Sequence, residues 1–182
     1  MLFRSFQKVV REFAEKEIKP YVDEIDETGE FPKELLQKMN ELNLFSITVP
    51  RELGGAGMDE MCHILATEEM SKVESSAGLG VSAGSSLLGA PFLLFGTKEQ
   101  NLKYYIPLVK GEKLAAFALT EPGAGTDVSA IRTTAVLSGD NYILNGTKCF
   151  ITNGGLADTI VVFAMTDITK GKIGRASCRE RV

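Results

Sequence analysis

Histidine, cysteine and tryptophan are scarce in this 182-residue chain, which has one histidine, three cysteines and no tryptophan. The cysteines Cys62, Cys149 and Cys178 lie far apart without a C-x-x-C spacing, and only Cys62 adjoins the histidine, His63. A metal site needs several such ligands at short spacing, so the sequence predicts none. It predicts instead that Cys62 and His63 are core or boundary residues of a helix, and that the thiols stay reduced in a cytosol-like compartment.

Blocks of like charge are also missing. The 24 acidic and 20 basic residues are interspersed and give a formal net charge of −4, which disfavours binding to a nucleic-acid backbone. No run of the roughly 18 apolar residues needed to cross a bilayer is free of charges or glycines, so the sequence predicts no membrane span. The N-terminal stretch lacks the apolar core of a signal peptide and has the pattern of an amphipathic helix.

Helical periodicity dominates the chain up to Gly111. The pattern predicts a helix over residues 3–19 that Pro20 stops, a second after Pro32, a third capped by Asp59, and a last one capped by Thr97. Pro107 is expected to bend or end the last helix. Residues 75–96 are apolar all round and predict a buried helix. The third helix is expected to turn four side chains inward: Met61, Ile64, Leu65 and Met70.

After Gly111 the period changes to two. The segments KLAAFALTE, RTTAVLSGDNYILNGTKCFITN and DTIVVFAMTD are rich in β-branched and aromatic residues, and Gly139 and Gly146 lie in turn sequences between them. They predict antiparallel strands. Helices followed by strands indicate an α+β chain: an N-terminal all-α helical bundle in residues 1–112, followed by a truncated antiparallel β-barrel in residues 113–174.

The loop TEPGAGTD, residues 120–127, carries two glycines beside a predicted strand. A dinucleotide-binding fingerprint needs a third glycine three residues after Gly125, where this chain has Val128, so that interpretation fails. Two alternatives stay open on pattern alone. The loop is a tight turn with a polar cap, or it is a nest of backbone N–H groups for a phosphate or an electron-rich ring edge.

The same loop, followed by NGTKCFITNG at residues 145–154, resembles the paired flavin-binding signature of the acyl-CoA dehydrogenases. The helical part is similar to that family as well, in REFAEKEIKP, VPRELGGAGMD and FGTKEQNLKYYIPLVKGEK, so that the resemblance covers roughly residues 6 to 173. It implies a three-part fold of helices, β-barrel and helices. It also implies an FAD enzyme that oxidises an acyl-CoA, of a short-chain or butyryl type, to the trans-2-enoyl-CoA in fatty acid β-oxidation.

The resemblance assigns cofactor-binding residues in both signatures. Thr120 is expected at the pyrimidine edge of the flavin, where hydrogen bonding would stabilise the negative charge of the reduced ring. Thr126 is expected at the FAD pyrophosphate and at the border of the acyl-CoA channel, and Phe150 stands where a tryptophan is common. The full set is Phe117, Ala118, Leu119, Thr120, Gly123, Ala124, Gly125, Thr126, Phe150, Ile151 and Thr152.

The resemblance further implies an electron-transferring flavoprotein as partner, and assembly as a dimer of dimers in the cytoplasm or the mitochondrial matrix. The family's general base is a glutamate of a C-terminal domain, so no catalytic residue is assigned here, and Glu121 is expected to belong to the cofactor loop. Residues 175–182, RASCRERV, match neither strand alternation nor the family and are expected to be a non-native tail. The chain is thus expected to be an inactive fragment.

Two other functions stay open. One is a flavoenzyme of the same fold that acts on a substrate without CoA. The other is a short protein that binds flavin or a partner without chemistry.

Overall fold

The computed structural model describes residues 2–167, and the backbone forms two compact units that meet in sequence between Glu112 and Lys113. The first unit is helical. Its α-helices are α1 Leu2–Phe13, α2 Val22–Thr28, α3 Lys33–Glu41, α4 Glu60–Ser71, α5 Ser75–Ser82, α6 Gly89–Phe95, α7 Lys98–Gln100 and α8 Ile106–Val109.

Local sequence signals place several helix boundaries correctly. Pro32 precedes α3, and the Asp59 carboxylate accepts the Cys62 N–H at 3.0 Å to cap α4. Thr97 and Gln100 form a reciprocal capping box at the start of α7. Each of these predictions is confirmed. They were accessible from sequence because the hydrogen bonds involved join residues only a few positions apart and do not depend on the tertiary fold.

Pro20 does not end its helix, contrary to expectation, and Pro107 lies inside a helical segment whose pitch changes just before it. A π turn at Ala14–Ile18 and a 3-10 turn at Lys19–Tyr21 carry the helical path past Pro20 into α2. A π turn at Asn101–Tyr105 likewise precedes α8, which contains Pro107. Changes in helical pitch allow the chain to pass a residue that cannot donate an N–H.

The inward stripe of α4 agrees with the prediction at Met70, which is buried, and differs from it at Met61 and Ile64. Met61 and Ile64 are 50% and 57% exposed, whereas the buried positions are Cys62, His63, Ala66, Glu69 and Met70. The buried stripe is rotated because α4 packs against both α1 and α5. A charged residue, Glu69, thereby occupies a core position that a count of apolar residues would not assign.

The apolar run after α4 is only partly buried, which corrects the prediction of a buried helix. Leu94 and Phe95 are 72% and 80% exposed. Among the described residues, the run Ser75–Phe95 alone has the length and mean hydropathy, 1.5, of a membrane-crossing helix, with 24% of that window buried. Core helices of water-soluble proteins meet the same criterion, so length and composition are weak evidence here.

The second unit contains two sheets of two strands among the described residues. Strands β2 Thr134–Ser138 and β3 Asn141–Asn145 form the predicted antiparallel hairpin. Strands β1 Ala115–Ala118 and β4 Thr159–Val162 pair in parallel, so the prediction that all strands are antiparallel is wrong. Residues 147–153, expected to be extended, form no strand. The open sheets agree with a partial β-barrel unit after a helical one.

Glu69 ties α4 to α1 inside the first unit. Its side chain is 1% exposed and accepts hydrogen bonds from Arg11 Nε at 2.7 Å, Gln7 Nε2 at 2.7 Å and Lys72 Nζ at 3.0 Å. The hydrogen bonds from Arg11 lower the pKa of Glu69 to about 2, against the opposing effect of burial and with help from Lys72 and Gln7. The carboxylate is therefore ionised and fully paired in the folded chain.

We expect Glu69→Gln to lower the free energy of unfolding by about 1–3 kcal/mol, because it removes the acceptor of several charge-assisted hydrogen bonds. Glu68→Gln is the matched control. Glu68 is 52% exposed and pairs with the same Lys72 at 2.8 Å, so its loss should cost less than about 0.5 kcal/mol. Urea denaturation followed by far-UV circular dichroism measures both changes, and equal costs would contradict the assignment.

The difference in unfolding free energy between wild type and Glu69→Gln should also depend on pH. The folded-state pKa of Glu69 lies below its ordinary value of 4.5, so the stabilisation is present above about pH 4.5 and is lost as the pH falls towards 2. The difference between the unfolding free energies of wild type and Glu69→Gln should therefore become smaller between pH 4.5 and pH 2. A gap that stays constant across this window would contradict the lowered pKa.

Candidate functional site

The two stretches that resemble flavin-binding signatures are called here the first flavin-like segment, residues 117–127, and the second flavin-like segment, residues 145–154. The first of them leaves the sheet at the end of β1. Ala118 is buried and its carbonyl accepts the Phe163 N–H at 3.0 Å. The Phe117 ring packs against Phe163 with ring centroids 5.0 Å apart. Both residues of the predicted site thus serve the core of the second unit. The half-buried Leu119 and Thr120 then carry the chain away from the sheet.

The glycine loop combines a tight turn with an open backbone. Glu121 and Ala124 exchange backbone hydrogen bonds at 3.1 and 3.0 Å, which closes the turn. Asp127 accepts the Ser129 N–H at 3.0 Å and caps a 3-10 turn at Val128–Ala130. A Cβ added to Gly123 or Gly125 would meet no atom within 4 Å. The turn interpretation therefore accounts for the loop's closure, while the backbone at both glycines faces open space that a ligand can approach.

The Glu121 side chain lies under this loop and is 6% exposed. Its carboxylate accepts three hydrogen bonds: from the Arg132 N–H at 2.6 Å, from the Thr133 N–H at 2.9 Å and from Lys148 Nζ at 2.8 Å. Two donors come from the residues just before β2, and the third comes from the second flavin-like segment. Glu121 therefore holds together three parts of the chain that are distant in sequence.

The hydrogen bonds keep Glu121 ionised. Burial by itself raises the pKa of a carboxyl group, but the hydrogen bond from Lys148 and the backbone N–H groups of Arg132 and Thr133 outweigh it and lower the pKa of Glu121 to about 2. A general base that works near neutral pH needs a pKa much closer to that pH, and a carboxylate free to accept a proton. The geometry argues against Glu121 as a catalytic base.

The second segment is attached to the first through Lys148 and Cys149. Lys148 Nζ also donates to the Leu119 carbonyl at 2.8 Å, and the Cys149 N–H donates to the Thr120 carbonyl at 3.0 Å. The Lys148 side chain is 11% exposed. The two signatures thus lie side by side, although Glu121 and Lys148 are 27 positions apart in sequence.

Phe150 follows immediately and points its ring into solvent. The side chain is 93% exposed, and the backbone has a left-handed φ of 56°. Such a backbone costs an aromatic residue about 1–3 kcal/mol, and it persists only where neighbouring contacts hold it. Ile151 is half-buried and Thr152 is exposed. An exposed aromatic ring on a strained backbone, next to a buried ion pair, is typical of a ligand contact.

Lys148 was missed by the sequence reasoning, which named Phe150, Ile151 and Thr152 from the same segment. A signal was present: Glu121 sits in a loop beside a predicted core strand, and a buried carboxylate needs a cation. The sequence offered several lysines, however, and only the fold selects Lys148.

A cleft of about 310 Å³ opens beside the loop, lined in part by Gly123, Arg132, Gly146 and Thr147. Gly146 packs closely against Thr133 at the edge of this cleft, since a Cβ on Gly146 would lie 2.3 Å from Thr133 Oγ1. Among the described residues no group of three or more histidine, cysteine, aspartate or glutamate side chains could hold a metal ion. The site's chemistry is that of backbone amides, hydroxyls and one aromatic face, which suits a flat organic cofactor with hydrogen-bond acceptors along its edge.

Comparison with known proteins adds the family. Residues 3–112 match the profile of the acyl-CoA dehydrogenase N-terminal domain, and residues 116–178 match that of the acyl-CoA dehydrogenase middle domain.

Three curated relatives are similar over almost the whole chain. A 3-(aryl)acrylate reductase of Clostridium sporogenes is 52% identical over 92% of this chain and 45% of its own length. A short-chain specific acyl-CoA dehydrogenase of Clostridium acetobutylicum is 53% identical over 92% and 44%. The CarC subunit of the caffeyl-CoA reductase–Etf complex of Acetobacterium woodii is 47% identical over 94% and 45%. The chain spans less than half the length of these relatives.

Solved structures give the same likeness. Butyryl-CoA dehydrogenase from Megasphaera elsdenii superposes with a TM-score of 0.89 at 43% identity, over 98% of this chain and 48% of that protein. A Mycobacterium smegmatis glutaryl-CoA dehydrogenase in complex with FADH2 superposes with a TM-score of 0.87 at 33% identity, over 92% and 43%.

We expect Lys148→Met to lower the free energy of unfolding of the chain by about 3 kcal/mol, because it leaves the Glu121 carboxylate buried without its cation. Lys113→Met is the control, since Lys113 is exposed in the same unit and its loss should cost less than about 0.5 kcal/mol. Urea titration followed by circular dichroism compares the two variants. A Lys148→Met variant as stable as its control would show that the pair does not hold the loop.

Proposed function

Because the chain belongs to the acyl-CoA dehydrogenase family, we propose that it forms the N-terminal and middle-domain part of an FAD-dependent enzyme that oxidises a short-chain acyl-CoA to the trans-2-enoyl-CoA. One observation carries the proposal. The buried pair of Glu121 and Lys148 places the two flavin-like segments side by side, with open glycines on one and the exposed Phe150 ring on the other.

The residues present fit FAD. The first segment would hold the cofactor through the backbone and hydroxyl groups of residues 117–126, with Thr120 at the pyrimidine edge and Thr126 at the pyrophosphate. The second segment would add the Phe150 ring and the Thr152 hydroxyl, both exposed. Phenylalanine keeps the stacking face of the common tryptophan without its N–H donor. When bound, FAD supplies the redox chemistry by accepting the electrons taken from the substrate.

This chain's own residues would bind FAD and orient it. Thr126 would also border the acyl-CoA channel. We propose that the general base is a glutamate outside residues 2–167, as the family resemblance implies, and Glu121 does not replace it because its carboxylate is ionised and fully bonded. On this proposal residues 2–167 alone have no dehydrogenase activity, because the base lies outside them.

Relatives favour a substrate class and a partner. The 53% identical relative is named for short-chain substrates, which supports a butyryl-type acyl-CoA. The 47% identical relative is a subunit of a reductase–Etf complex, which supports electron transfer to an electron-transferring flavoprotein. We further propose a dimer of dimers, in the cytoplasm or the mitochondrial matrix.

A second function has a specific observation in its favour. The 3-(aryl)acrylate reductase is 52% identical, nearly the same as the short-chain dehydrogenase. Its name describes the reduction of an aryl-substituted acrylate, the opposite direction to dehydrogenation, and specifies no thioester. The alternative is therefore an enzyme of the same fold that reduces an aryl acrylate.

Substrate oxidation and reduction can be tested on the complete protein encoded by the source gene, purified with FAD. We expect butyryl-CoA, added to the oxidised enzyme, to bleach the visible flavin absorbance within one turnover. We expect 3-phenylacrylate, added to enzyme whose flavin has been reduced chemically, not to reoxidise that flavin. The opposite pattern would favour the aryl acrylate reductase. If neither compound changes the flavin, both proposals are wrong.

Phe150 gives a test of the cofactor site that does not rest on turnover. We expect Phe150→Gly to leave the complete protein as stable as wild type or slightly more stable, because glycine adopts φ near 56° without strain and the ring is 93% exposed. FAD retention after desalting should nevertheless fall. Leu156→Ala is the control, since Leu156 is 76% exposed in the same unit and should not affect retention. Equal retention in all three proteins would remove Phe150 from the site.

A further inference from the structure

Lys148 makes two contacts with the first segment, and the ion pair explains only one of them. Its ammonium group donates to Glu121 Oε1 and to the Leu119 carbonyl, each at 2.8 Å. An ammonium group has three N–H donors, and the Lys148 side chain is 11% exposed, so the carbonyl also satisfies a donor that is largely shielded from water. The same contact has a second consequence, because it acts on the peptide group of Leu119.

The Leu119 carbonyl shares a peptide group with the Thr120 N–H. The described residues contain no cis peptide bonds, so this N–H points away from Lys148, on the opposite side of the planar group. A hydrogen bond to the carbonyl of a peptide polarises the group and strengthens its N–H as a donor. Within residues 2–167 the Thr120 N–H donates to no protein acceptor. The strengthened donor is thus available to a ligand.

A second bond fixes the next peptide group. The Thr120 carbonyl accepts the Cys149 N–H at 3.0 Å, one residue after Lys148. The carbonyls of Leu119 and Thr120 are therefore both held by consecutive residues of the second segment. These two hydrogen bonds fix the direction of the Thr120 N–H, which would otherwise vary with the conformation of the loop.

We infer that Lys148 is a positioning residue for the cofactor: through the Leu119 carbonyl it orients and polarises the Thr120 N–H as a donor to the acceptor edge of the flavin ring. The inference rests on the proposed function, which places that edge at Thr120. The nearby Glu121 carboxylate cancels the net charge of the ammonium. The effect therefore passes through the hydrogen bond to Leu119 and not through a free positive charge.

A double variant separates this role from a structural one. Lys148→Met alone leaves Glu121 charged and unpaired, whereas Glu121→Gln with Lys148→Met removes both charges and should recover most of the lost stability. It cannot restore the bond to Leu119. A purely structural role predicts recovery of every property in the double variant, and the positioning role predicts recovery of stability alone.

The first measurement uses this chain without flavin. We expect the Thr120 amide proton resonance to move upfield in Lys148→Met and in the double variant, because the N–H loses polarisation. Lys148→Arg should retain most of the wild-type position, since arginine also donates, and Lys113→Met should leave it unchanged. A Thr120 resonance that is the same in the double variant and in wild type would overturn the inference.

The second measurement uses the complete protein with FAD. We expect the double variant to bind FAD on the order of tenfold more weakly than wild type, because the Thr120 N–H is then less polarised and less firmly oriented. Its flavin midpoint potential should be lower, because this N–H donates more weakly to the reduced ring. Wild-type affinity and potential in a stable double variant would overturn the inference alone. If wild type itself retains no FAD, the proposed function is wrong and the flavin role of Lys148 falls with it.

Discussion

The site depends on the requirement that a buried carboxylate be paired. Glu121 is 6% exposed, so without Lys148 and two backbone N–H donors its charge would be strongly destabilising. The requirement joins the glycine loop, the residues just before β2 and the second flavin-like segment at one point. Because all three must meet at the carboxylate, the loop cannot adopt another path without leaving that charge unpaired.

The helical unit also contains a buried glutamate that is paired with a cation. Glu69 lies in its core and pairs with Arg11 from α1, which fixes how α1 and α4 meet. Apolar packing tolerates small shifts between helices, whereas a carboxylate with several fixed donors tolerates few. In each unit one ionised glutamate therefore specifies an arrangement that hydrophobic burial alone would leave less well defined.

The sequence predicted the features that depend on near neighbours. The cap at Asp59, the capping box at Thr97 and the β2–β3 hairpin follow from residues within a few positions of each other. The parallel pairing of β1 with β4 and the choice of Lys148 depend on contacts between distant residues, which a single sequence does not encode in any local pattern. The exposed Met61 shows the same limit, because only the positions of α1 and α5 decide which stripe of α4 is buried.

The anchored backbone bears on how the site recognises a cofactor. Thr120 is held through its own carbonyl and that of Leu119, so its N–H is oriented before any ligand arrives, which reduces the entropy lost on binding. Phe150, by contrast, is 93% exposed and needs only to present a flat face. In the proposed cofactor site, orientation would come from main-chain groups fixed by the ion pair, and contact area would come from the Phe150 ring. This division would allow phenylalanine at a position where, by the resemblance to the acyl-CoA dehydrogenases, a tryptophan is expected.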